Sequence, residues 1–172
     1  RDYRTKNGAE LEVDMVYDTV FKNGKTIGLV RQEQYKNVGV KLNICEEDSQ
    51  IFRKKWKEGD FGMILYSSWG GSYEPFATLA AMRTNGDKFS TVQKGMENKE
   101  ELDQVMNHAL RETDEEKLRE DFAYIMDSFF EQAVYIPLTV SSTLAVYNSS
   151  LEGLDLEGGK DVMPVGSVKR KQ

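Results

Sequence analysis

Apolar and charged side chains alternate along Leu11-Glu12-Val13-Asp14-Met15-Val16-Tyr17, broken only at Val16, and a period of two is the mark of a half-buried strand. Asn23-Gly24 then supplies a turn. Ile27, Val30, Gln34 and Val38 recur at helical spacing until Gly39, a residue suited to the left-handed conformation in which helices end. A second strand is expected over residues 40–45, and Ser49 is placed to cap a short basic helix over residues 50–57 that Gly59 stops. Phe61-Gly62-Met63-Ile64-Leu65-Tyr66 reads as a third strand, apolar enough for burial on both faces. Strand, helix, strand, helix, strand is the order of a partly parallel α/β sheet, because parallel neighbours need a crossover.

The second half is patterned for helices. Leu102, Val105, Met106, Ala109 and Leu110 share one helical face, and Leu118, Phe122, Ile125, Phe129 and Ala133 share another. Thr113 with Glu116 three residues on forms a capping-box pattern at the start of the second helix. Residues 134–140 return to extended structure, residues 144–147 are expected as a short strand, and the Gly-rich stretch through Gly166 as loop. No internal repeat or low-complexity tract interrupts the 172 residues, a length that predicts a single core.

Composition narrows the chemistry. A net charge of −6 opposes nucleic-acid phosphates, which attract cationic surfaces, so nucleic acid is not an expected partner. Lys169-Arg170-Lys171 is too short a basic run for a membrane anchor and reads as a solvated tail. Arg1 is followed by polar residues and not by a signal-peptide core, and no stretch approaches the ~20 apolar residues that span a bilayer. The one cysteine, Cys45, falls in a predicted strand as a small packing residue.

Catalysis finds little material. The sole histidine, His108, lies in an amphipathic helix, which leaves Ser or Cys nucleophiles without a base and disfavours a zinc-type cage built by this chain alone. Glu46-Glu47-Asp48 lacks the ligand spacing of a calcium loop and suits a helix N-terminus instead. Walker, GxGxxG and GxSxG motifs are absent, and the expectation is a protein that is not an enzyme and carries no cofactor.

What stands out is aromatic. Trp69 and Tyr73 flank Gly70 and Gly71 in Ser68-Trp69-Gly70-Gly71-Ser72-Tyr73-Glu74-Pro75, directly after the third strand. Open α/β sheets bind ligands just beyond their strands' C-terminal ends. An indole and a phenol can stack on an organic solute while the glycines admit its approach to backbone amides. Equally, these rings can plug the sheet end, and the pattern leaves both readings standing.

Five blocks in order carry a family resemblance: residues 11–17, Asn37-Val38-Gly39-Val40-Lys41-Leu42, Gly59-Asp60-Phe61-Gly62-Met63-Ile64, the Trp69-to-Pro75 loop, and Ala133-Val134-Tyr135-Ile136-Pro137-Leu138. Over residues 9–168 the chain resembles the extracytoplasmic solute-binding proteins of ABC importers for peptides and nickel (family 5). Glu131-Gln132-Ala133-Val134-Tyr135-Ile136-Pro137 and the Trp69 loop lean toward the nickel-binding branch. The resemblance implies an α/β fold, one lobe of a bilobed type II periplasmic-binding-protein-like molecule, with a mixed sheet flanked by helices. Residues 1–172 would be that one lobe, the first lobe lying outside this chain. It further implies capture of nickel, as a chelate, or of short peptides, delivery to ABC permease subunits, and a location in the periplasm or at the cell surface on a lipid anchor outside this chain. Trp69, Tyr73 and Gly70 are implied at the ligand, with Phe52 and Thr139 lining the cleft. Nickel-binding members offer a histidine shortly after the Met-Arg matched by Met82-Arg83; here Thr84-Asn85-Gly86-Asp87-Lys88 follows, leaving Asp87 as a candidate oxygen ligand. Two other classes compete: a protein-interaction module anchored by the exposed Trp/Tyr loop, and a hydrolase using His108.

Overall fold

The computed structural model describes residues 3–67, 75–83, 88–139, 144–154 and 165–171. Its contacts divide the chain into two compact units, Arg1–Ser68 and Trp69–Gln172. Where the sequence led to one core, buried side chains gather in both units.

The first unit opens with a short antiparallel ladder, β1 (Thr5–Lys6) with β2 (Ala9–Glu10), followed by β3 (Glu12–Asp18), α1 (Gly24–Asn37), β4 (Lys41–Glu47), α2 (Ser49–Glu58) and β5 (Met63–Ile64). β3 lies between β4 and β5, and both pairings are parallel. A mixed sheet was expected; among the described residues this three-stranded sheet is wholly parallel, and antiparallel pairing is confined to two-residue ladders. The predicted third strand also shrinks from six residues to the two-residue β5, extended only by Leu65 N–H donating to the Val16 carbonyl at 2.9 Å.

Period two sorts the helices. Glycines of α1 face Tyr17, Met15 and Ile44, whereas α2 touches the alternate side chains, Ser49 Oγ donating to Asp18 and Lys55 pairing with Glu47. The two crossovers therefore cover opposite faces, the arrangement right-handed connections produce when strand order reverses.

The contact face of α1 is not the one its aliphatic residues predict. Gly24 and Gly28 are its buried positions, while Val30 and Val38 are exposed. A Cβ on Gly24 would sit 2.2 Å from Tyr17 Cδ2, so at that point the helix meets the sheet backbone to ring. Helix α2 is capped by Asp48, whose Oδ1 accepts from Gln50 N–H (2.8 Å) and Ile51 N–H (3.1 Å); Ser49, the expected cap, is the first helical residue.

The second unit comprises α3 (Pro75–Met82), a 3-10 turn at Lys88–Gln93, α4 (Lys99–Ala109), α5 (Glu115–Glu131), and a ladder of β6 (Leu151–Glu152) with β7 (Lys169–Arg170) around a 3-10 turn at Val165–Ser167. Leu79, Met96, Leu102, Met106, Ala109, Ile125 and Phe129 form its core, as the helical periodicity predicts for α4 and α5. Helix α5 is capped by Asp114, one residue later than the Thr113 box predicts. Residues 134–139 and 144–147 form no ladder. The phenol of Tyr135 instead turns inward, donating to the Phe89 carbonyl at 2.8 Å and accepting from Gln93 Nε2 at 2.8 Å. Burial pushes that phenol up to about 12.

Three helices end in the same Schellman pattern. Val40 N–H reaches the Tyr35 carbonyl, Asp60 N–H the Lys55 carbonyl, and Val134 N–H the Phe129 carbonyl. The pivot is glycine in the first two, Gly39 at φ 78° and Gly59 at φ 77°, but Ala133 at φ 51° in the third.

Two stability predictions follow from these geometries. Ala133→Gly relieves a left-handed cost of about 1–2 kcal/mol against a chain-entropy loss of about 0.5–1 kcal/mol, so a net gain of about 0.5–1 kcal/mol is expected in urea unfolding. Gly24→Ala, facing a buried ring, should cost about 1–3 kcal/mol. Gly28→Ala meets the flexible end of Met15 at 2.9 Å and gains helix propensity of about 1 kcal/mol, so its midpoint should move far less. Equal losses at the two glycines would refute the close approach at Gly24.

Candidate functional site

The C-terminal edge of the parallel sheet is where this topology leaves room for a ligand, next to the point where connections leave in opposite directions. There the chain after β3 is pinned. Asp18 Oδ1 accepts from Val20 N–H (3.0 Å) and from Ser49 Oγ (2.9 Å), and Thr19 N–H donates to the Glu47 carbonyl at 3.0 Å. Glu47 in turn binds Lys55 Nζ at 2.6 Å.

An aromatic ladder supports the end of β5. Phe52 and Trp56 lie one helical turn apart on α2, their ring centroids 5.6 Å apart at 75°, and Trp56 meets Tyr66 edge to face at 4.4 Å and 70°. Offset and edge contacts of this kind add about 0.5–1.5 kcal/mol each to the burial of the rings. Phe52 is 3% exposed and Trp56 2%, whereas Tyr66 is 38% exposed. Phe52 was expected to line a cleft; it is a packing residue, because the inward face of an amphipathic helix spends its rings on the sheet. Tyr66, just after β5, is the partly exposed ring of this ladder. The signal was present in the i, i+4 pair Phe52 and Trp56 on an otherwise basic helix, but which strand residue met it required the fold.

Trp69, Gly70 and Tyr73, the expected ligand contacts, and Asp87 lie outside the described residues. Thr139 is exposed, in the irregular chain that follows α5 in the second unit. Phe76 packs edge to face on Phe122 at 6.0 Å, which assigns that ring to the second unit's own packing.

Elsewhere in the first unit, an open polar depression is lined by Glu12, Asp14, Asn43, Lys55 and Asp60. Asn43 Nδ2 donates to both Glu12 Oε1 (2.5 Å) and Asp14 Oδ1 (2.7 Å), and the Asn43 bond, then Lys41, holds the Glu12 carboxyl below its usual range. Val13, Val16 and Phe61 also line the depression, but it is open and mostly polar, unlike the enclosed apolar clefts that hold most solutes. Burial, then the charge of Asp14, pushes the Cys45 thiol up, the opposite of nucleophile activation. Among the described residues no group of three His, Cys, Asp or Glu is placed to hold a metal ion, and no helix is long and apolar enough to cross a membrane.

No protein-family model matches the chain. The nickel-binding periplasmic protein of Escherichia coli (strain K12) is 27% identical over 170 residues, covering 98% of this chain and 32% of that protein. Among solved structures, NikA from Brucella suis in complex with Fe(III)-EDTA superposes on 99% of the chain and 34% of its own, with a TM-score of 0.82 at 22% identity. The chain has the fold of part of a periplasmic binding protein. The oligopeptide-binding protein AppA from Bacillus subtilis, in complex with a nonapeptide, superposes on 98% of the chain and 33% of its own, with a TM-score of 0.66 at 17% identity. The likeness to family 5 solute-binding proteins carried by the five ordered blocks is found again along nearly the whole of this chain, in sequence and in fold. The chain spans about a third of the length of the relatives it matches.

If the ladder supports the strand end, Trp56→Ala should cost about 3–5 kcal/mol in urea unfolding, and Tyr66→Ala less, since its ring is partly solvated already. A Trp56→Ala variant as stable as the parent would remove the ladder from the account.

Proposed function

We propose that this chain is one lobe of the solute-binding component of an ABC importer, an extracytoplasmic receptor that captures nickel as a chelate and presents it to permease subunits. The match along 98% of the chain to a nickel-binding periplasmic protein carries this reading, and the TM-score of 0.82 with the Brucella suis protein supports it. Both units, residues 1–68 and 69–172, then belong to the same lobe, and the remainder of the receptor supplies the facing wall. Such a receptor binds and releases; it does not catalyse.

A chelate suits the sequence better than a bare ion. The whole chain holds one histidine and one cysteine, and the stretch after Met82-Arg83 has no histidine, so nitrogen and sulfur ligands would come with the metal on a chelator or from the rest of the receptor. Trp69 and Tyr73, beside Gly70 on the loop that follows Tyr66, would stack on the organic part of that chelate. Short peptides are the second solute class, favoured by the superposition on the nonapeptide-bound Bacillus subtilis protein.

Calorimetric titration of the full-length receptor with Ni²⁺, with Ni²⁺ plus histidine, and with a pool of short peptides tests the proposal. The expected result is tight binding of the nickel–histidine species, weakened at least about tenfold, or 1.4 kcal/mol, by Trp69→Ala. Binding of peptides alone moves the receptor to the peptide class. No binding of any of them overturns the transport reading in favour of a protein-interaction module built on the same loop.

A further inference from the structure

The only histidine of the chain sits between two carboxylates that belong to different segments. His108, in the last turn of α4, places Nδ1 2.6 Å from Asp121 Oδ2 on α5 and Nε2 3.4 Å from Glu112 Oε2 in the turn between the helices. Glu112 is itself committed to that turn, its Oε1 accepting from Thr113 N–H (2.7 Å) and Asp114 N–H (2.9 Å). Asp114 then caps α5 through Glu116 and Lys117 N–H. One imidazole thus touches both the far helix and the side chain that shapes its N-terminus.

We propose that His108 is a proton-operated clasp of the α4–α5 turn, closed when the imidazole is charged and released on the Glu112 side when it is neutral. The reason is donor count. An imidazolium carries a proton on each ring nitrogen and attracts both carboxylates, whereas a neutral ring that donates to Asp121 through Nδ1 turns a bare lone pair toward Glu112. Losing one proton therefore converts an attraction at 3.4 Å into an acceptor facing an acceptor. The arrangement does not suit a shared metal ion, because the two nitrogens diverge from the ring toward different carboxylates.

The neighbouring charges agree. Asp121 raises the His108 pKa by its hydrogen bond and its charge, Glu112 adds to this, and Lys117 of α5 opposes it. Arg83, which follows α3, is engaged next to His108 on α4, its Nη1 donating to Asn107 Oδ1 at 2.9 Å. On α4, Asp103 is held by Lys99. Because the folded pKa is raised, the clasp's contribution is complete below the ordinary value of 6.5 and is lost as pH rises through the higher folded value. The Glu112 pKa is lowered, first by the Asp114 and Thr113 backbone bonds, so its contribution is present above 4.5 and lost as pH falls through its folded value. The turn is held best between the two.

A single histidine makes the test direct, since the imidazole resonances of the chain belong to His108 alone. The expected NMR titration midpoint lies above 6.5, and both Asp121→Asn and Glu112→Gln lower it in chains whose circular dichroism is unchanged. Hydrogen exchange, corrected for its intrinsic pH dependence, should show Thr113 and Asp114 amides losing protection as pH passes that midpoint, and His108→Gln should abolish the dependence. A midpoint at or below 6.5, a midpoint indifferent to Glu112→Gln, or pH-dependent protection that survives His108→Gln would each overturn the clasp.

Discussion

Parallel pairing of β3 with β4, in register from Glu12 opposite Lys41 to Asp18 opposite Glu47, is the constraint on which the first unit rests. Parallel neighbours cannot be joined by a hairpin, so the chain must leave one edge and return along a crossover. The crossover α1 lies so close to the sheet that its contact positions are Gly24 and Gly28. The second crossover, α2, returns past β3 to β5 and brings Phe52 and Trp56 to the strand end that Tyr66 closes. The same topology that forces the crossovers therefore supports the chain just after β5, at Tyr66.

The second unit is organised by side chains more than by sheet. The α4–α5 pair buries Leu102, Met106, Ile125 and Phe129, and polar groups link the segments beside it. Asn98 Nδ2 donates to Ser128 Oγ at 3.0 Å, and Gln132 Nε2 donates to Asn98 Oδ1 at 2.6 Å. Tyr135 reaches back to Phe89 and Gln93, and Phe129 meets its ring edge to face at 4.7 Å. One acceptor, Gln93 Oε1, is buried without a partner among the described residues. Such a group costs free energy, on the order of 1–3 kcal/mol, that the surrounding packing has to offset. Cross-linked polar anchors of this kind hold the segments of the second unit in one arrangement.

Local pattern was enough for β3 and β4 to within two residues, for α4 and α5 with their buried faces, and for the glycine ends of α1 and α2. It misplaced both N-caps by one position, because Asp48 beside Ser49 and Asp114 beside Thr113 offer adjacent acceptors and only the path of the chain chooses between them. It read residues 134–140 as extended structure but gave no sign that Tyr135 is held by hydrogen bonds to a turn more than forty residues earlier. Ala133 shows the same limit from the other side: nothing in its side chain announces a left-handed residue.

What the sequence by itself determined was the alternation and periodicity that make strands and helices, the scarcity of histidine and cysteine, and the ordered blocks that carry the likeness to periplasmic binding proteins. Those properties depend on neighbours a few residues apart, or on the chain read as a whole. The tertiary structure decided which side of α1 meets the sheet, that Phe52 packs while Tyr66 is left partly open, and that His108 stands between Asp121 and Glu112. Each of those depends on how closely one backbone approaches another, a distance that no local pattern of hydrophobicity encodes.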